Sequence, residues 1–212
     1  MKNTNLIIIF FLFLFSNFFY SISNSKINTV IVVKVGKELI TSTDIQNEIL
    51  TNLIINNKNI SQENINKNKN FAIKNLINKS IKQGEIDRFQ ITNYSKKDLQ
   101  NYIESIAKKL DTDVSGLKKI FKQHNINYES FIKKYEIELL WNTLIFQFYS
   151  KQTNINIVEV ENEIKKIQGN ENEEELKKIK ENILNNKKNQ KLDLFSRSHF
   201  SNLEDTVVIN FL

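Results

Sequence analysis

Cysteine and proline do not occur in this 212-residue chain, and glycine occurs four times. Without cysteine there is no disulfide framework, no thiolate metal site and no cysteine nucleophile. The lack also suits an oxidising compartment, where a free thiol is a liability. With no proline and so little glycine, few residues break a helix, so long uninterrupted helices are expected over a loop-rich fold. The only histidines, His124 and His199, are poor stock for a metal site, and neither has a serine–aspartate partner close in sequence. There is no glycine-rich phosphate loop and no metal-binding helix motif. Glu171, Glu173, Glu174 and Glu175 suit a solvated helix start, where carboxylates meet the positive end of the dipole, better than a cation site. The net charge of +6 is modest and spread along the chain, with no basic block to track a phosphate backbone. Catalysis, cofactors, metals, small-molecule substrates and nucleic acid therefore find no support here.

What is present is apolar. Hydrophobic residues make up 40% of the chain and include 15 phenylalanines, enough for a packed core in one or two domains. Lys2, the run Leu6 to Phe15 and the small residues around Ser21-Ile22-Ser23 form a secretory signal over 1–23, with the mature chain starting at Asn24. An uncleaved membrane anchor is the alternative. A span needs roughly 20 apolar residues, and this run is shorter and broken by Ser16-Asn17.

The chain is organised around Asn28 to Ile49. Thr29 to Val35 is almost wholly β-branched and reads as a strand. Gly36-Lys37 reverses it, Glu38-Leu39-Ile40 returns, and Thr41 with Asp44 starts a capped helix. Thr206 to Leu212 is the one other strong strand signal. Since a lone hairpin is marginal in water, the closing strand is expected to join it, so that the two ends of the mature chain meet.

Between them the period is helical. A first helix is expected over Ser42 to Ile55, then a polar loop or frayed lead-in from Asn56 to Asn70. A second helix carries Phe71 to Ile86. A third follows Ser95-Lys96-Lys97-Asp98, and a short one follows Asp111 to Ser115 and ends at His124-Asn125. Tyr128 to Ser150 forms the most apolar helix. Val158 to Gln168, closed by Gly169, and a last long helix from Glu173 precede the strand.

The helix from Tyr128 has two apolar stripes, so it is either covered on more than one side or leaves one side as a groove. Phe121, Tyr128, Phe131, Tyr135, Trp141 and Phe148 are the candidate peptide-binding residues, since aromatic side chains grip varied partners. Core packing between neighbouring helices is the commoner use of any one of them.

In this order the residues resemble the SurA family of periplasmic chaperones. VIVVKVGKELITSTDIQNEI looks like the family's opening strand, turn and first helix. Phe71 to Asp87, Asp98 to Lys108, Tyr128 to Leu144 and Ile157 to Ile164 resemble its next segments in turn, so the likeness spans roughly Thr29 to Ile164. Longer members carry parvulin-type prolyl isomerase domains after this point. Only about forty residues separate Ile164 from the closing strand here, fewer than the ~100 of a small domain. The stretch from Asn182 to Leu212 resembles the family's C-terminal segment instead.

The resemblance implies a mainly α fold, with a small antiparallel sheet made by the N-terminal hairpin and the C-terminal strand. It implies a helical chaperone domain over 24–168, with 169–212 packing back on it. It further implies an ATP-independent periplasmic holdase without isomerase activity, whose partners are unfolded polypeptides, outer-membrane β-barrel proteins among them, with membrane contact only during export. The alternatives are a prolyl isomerase-related protein and a membrane-anchored scaffold for a folded partner.

Overall fold

A computed structural model describes residues 29–167 and 172–212. The expected signal segment 1–23 and the Gly169 helix stop lie outside them. Strands β1 (Ile31–Val35) and β2 (Glu38–Thr41) form an antiparallel hairpin, and Gly36 takes the left-handed conformation its turn needs. Seven helices follow among the described residues: α1 (Ser42–Ile55), α2 (Gln62–Arg88), α3 (Lys96–Lys109), α4 (Val114–Gln123), α5 (Tyr128–Tyr149), α6 (Ile157–Ile167) and α7 (Glu173–Glu204). Strand β3 (Ile209–Phe211) then pairs antiparallel with β1, giving the sheet order β2-β1-β3. The fold is mainly α with the small terminal sheet that the sequence implied.

Short polar side chains set the helix starts. Thr41 and Asp44 cap each other reciprocally at α1, and Asn172 and Glu175 do the same at α7. Ser61, Ser95, Asp113 and Asn127 each accept the backbone N–H three residues on. Four of the helix stops share one device. After α1, α2, α3 and α4 the chain turns left-handed at Asn57, Gln90, Asp111 and Asn125. The following N–H then reaches back five residues, from Lys58, Ile91, Thr112 and Ile126 to Leu53, Ile86, Ala107 and Phe121. This is the bonding of the Schellman motif. In a chain so poor in glycine, asparagine and aspartate take the left-handed position at three of the four ends, because their short polar side chains tolerate it best.

Two expectations shift. Asn56 to Asn70 is not one loop: α2 begins at Gln62, capped by Ser61, and its polar first turns are laced by bonds such as Asn68 Nδ2 to the Asn64 carbonyl at 2.7 Å. The closing strand narrows to Ile209–Phe211, because Thr206 and Val207 still bond back to the Leu203 carbonyl at the end of α7.

The core has three parts. Val33, Val35 and Ile40 of the sheet pack on Ile45, Ile49 and Leu53 of α1 and on Ala72 to Ile81 of α2. Leu117 and Phe121 of α4 close on the second half of α1, on α3 and on Phe131. Ile86 of α2 meets Ile137, Leu140, Trp141, Leu144 and Ile145 of α5, and α7 covers them with Leu192, Phe200 and Leu203. Buried polar groups tie the helices together. Glu48 of α1 takes Lys134 Nζ of α5 at 2.6 Å and Asn75 Nδ2 of α2 at 2.9 Å. Such a charge is retained because it is both paired and hydrogen-bonded.

Candidate functional site

The six aromatic candidates fall into two groups, and both belong to the core. Phe121 and Phe131 are buried with ring centroids 5.0 Å apart, edge to face. Tyr128 and Tyr135 are half-buried against Phe131, at 5.8 and 5.1 Å. Tyr135 also leans on Tyr102 of α3 at 3.9 Å. Burial, then the neighbouring Tyr102 hydroxyl, raises the Tyr135 phenol well above its ordinary range.

Trp141 is 2% exposed. Its indole N–H donates to Ser196 Oγ of α7 at 2.8 Å, and its ring meets those of His199 and Phe200. Phe148 is half-buried beside Phe89 and His199. Phe121, Phe131 and Trp141 are thus core residues, while Tyr128, Tyr135 and Phe148 keep part of their surface outside.

His199 pins α7 in place. Its Nδ1 lies 2.8 Å from the Tyr149 hydroxyl and its Nε2 3.1 Å from Glu85 Oε1 of α2. Glu85 is buried, so one imidazole joins three helices. Tyr149 and Phe195 stack beside it at 4.8 Å.

Four of the apolar side chains left outside, Phe146, Leu194, Ile157 and Val158, lie on the two flanks of α7. On one flank a cleft of about 360 Å³ has Ile145 and Leu192 in its lining, with Phe146, Asn142 and Asn189 beside them. Phe146 is 59% exposed. On the other flank a cleft of about 570 Å³ separates α7 from the segment entering α6 and is lined by Ile155, Asn156, Lys187, Gln190, Lys191 and Leu194. Leu194 is 62% exposed, and Ile157 and Val158 are exposed at the start of α6. Lys187 is held by Glu163 at 3.0 Å, and Lys191 donates to the Asn154 carbonyl.

Apolar walls with amide side chains among them can receive a chain that presents both apolar side chains and peptide groups. Among the described residues, no three acidic, histidine or cysteine side chains gather as a metal site would require, and no helix is long and apolar enough to cross a membrane.

Phe146 and Leu194 were legible as apolar positions but not as outward ones. Each lies five residues from a core residue of its own helix, Trp141 and His199. At 3.6 residues per turn that is a rotation of about 140° from the covered face.

No family model matches the chain, and no curated protein matches it in sequence. Among solved structures, one from Campylobacter jejuni is similar over 86% of this chain and 99% of its own, at 15% identity and a TM-score of 0.41. It comes from work describing the virulence factor PEB4 and the periplasmic protein Cj1289 as two structurally related SurA-like chaperones. At this distance the likeness assigns neither a family nor a function.

Proposed function

We propose that the chain is an ATP-independent holdase for unfolded polypeptides. It works in the periplasm after removal of segment 1–23, with outer-membrane β-barrel proteins as clients. The observation that carries this reading is the apolar surface on the flanks of α7: Phe146 on one side, and Leu194, Ile157 and Val158 on the other, beside open clefts. Exposed apolar side chains that gather beside a cleft, unlike ones scattered singly, suit a binding site. The resemblance of the sequence, segment by segment, to the SurA family points the same way. A holdase needs only reversible apolar contact that keeps client strands from pairing with one another, so the reading includes no isomerase activity and no cofactor.

The test is light scattering of a urea-denatured β-barrel protein diluted into buffer with the mature chain. Suppression of aggregation near equimolar ratio is expected. No suppression at several-fold excess contradicts the reading, and catalysed isomerisation of a proline tetrapeptide would replace it with the enzyme alternative.

A further inference from the structure

We infer that the free edge of β3 is a second client site, which takes an extended polypeptide segment by main-chain pairing. The hydrogen-bond parity of the sheet leads to it. Gly36 N–H donates to the Val208 carbonyl and Leu212 N–H to the Val32 carbonyl, both at 3.0 Å. In an antiparallel ladder bonded pairs alternate with unbonded ones. With the register Val33 to Phe211, Lys34 to Asn210 and Val35 to Ile209, the even positions of β3 bond to β1. The N–H and C=O groups of Ile209 and Phe211 therefore point away from β1, to the open side, and among the described residues no further strand follows β3 in the sheet.

The side chains fit the same occupant. Paired residues share a face, so Phe211 lies on the helix side of the sheet with Val33. Val33 is buried there, yet Phe211 is 68% exposed. A strand added beyond β3 would set its own side chains beside Ile209 and Phe211 and cover them. The outward face of β3 offers Asn210, a neutral residue that puts no charge barrier before the incomer. The strand carries neither proline nor a charged side chain, and of the guards of an open edge it keeps only its shortness.

A row of free peptide groups is read by another extended backbone, whatever its sequence. That occupant is a client and not a second copy. An edge of three residues paired with itself buries far less than the ~1,200 Å² that stable pairs need. A longer client segment continues past both ends of β3 and still dissociates readily. This site stands apart from the flanks of α7, and the identity of its occupant rests on the holdase reading.

The experiment uses the intact protein and fluorescence anisotropy with a labelled nine-residue peptide of alternating valine and threonine. Its counterpart is the same peptide N-methylated at alternate residues, which blocks one pairing edge. Phe211→Pro removes a free-edge N–H while leaving every bond to β1 in place, and edge strands tolerate proline there. Phe211→Ala removes only the side chain.

The expected result is that Phe211→Pro and the methylated peptide each weaken binding by about tenfold or more, and Phe211→Ala by less. Equal binding of the two peptides overturns the inference. So does a dimer of the free protein that Phe211→Pro dissociates, since the edge then belongs to a second copy. If the denatured β-barrel protein stays soluble and Phe211→Pro changes neither measurement, the edge site fails and the holdase stands. If neither peptide nor denatured protein is held, both fail.

Discussion

Tyr135 illustrates how a single residue departs from its expected use. Its aromatic ring and polar tip made it a groove candidate, but the neighbouring helices half-bury it against Tyr102 and Phe131. Whether an aromatic lines a groove or fills a core depends on what lies opposite, and α3 approaches from about thirty residues away in sequence. Periodicity along one helix carries no record of that. The burial has a consequence in pH. In the unfolded chain the phenol ionises near its ordinary value of 10.0, whereas in the fold it stays protonated to higher pH. The native state therefore binds the proton more tightly. The stabilisation is whole below the ordinary value and is lost as pH rises through the folded one. Thermal melts should fall steeply above about pH 10, and Tyr135→Phe, which cannot ionise, should show a shallower fall over the same range. An equally steep fall in the variant would contradict this assignment.

At the scale of elements, most boundaries were legible because local chemistry sets them. Thr41 with Asp44, Ser95 and Asn125 act where their side chains act in any helix end. The start of α2 was not legible, since asparagine-rich sequence is a poor helix former taken alone. Its polar first turns are carried by Ser61 and by the apolar second half that α1 and α5 cover. The hold of α7 was also invisible, because it depends on Ser196 and His199 meeting α2 and α5 across a long separation. Ser196→Ala leaves the buried indole N–H of Trp141 without its partner. It should cost about 1–2 kcal/mol in chemical denaturation, with α7 exchanging its amide hydrogens faster than α1. Unchanged stability would mean that the indole is served by another acceptor.

For the whole molecule, the meeting of head and tail was legible from strand content alone, because a hairpin of this size needs a third strand or a helix to persist. Residues 206–212 supply that strand and cover Val33 and Val35 with Val207 and Ile209. Deleting them should lower the melting temperature by about 5 °C or more for a chain of this size. Unaltered melting would show that the sheet does not need its third strand. The functional claim is separate from this one, since it concerns surface the fold leaves uncovered on either side of α7. The most direct measurement is aggregation suppression by the double variant Phe146→Ser, Leu194→Ser. Both side chains are largely in water, so melting should stay within about 2 °C of the parent, while protection of a denatured β-barrel protein should fall severalfold. Full protection by a normally folded double variant would contradict the account.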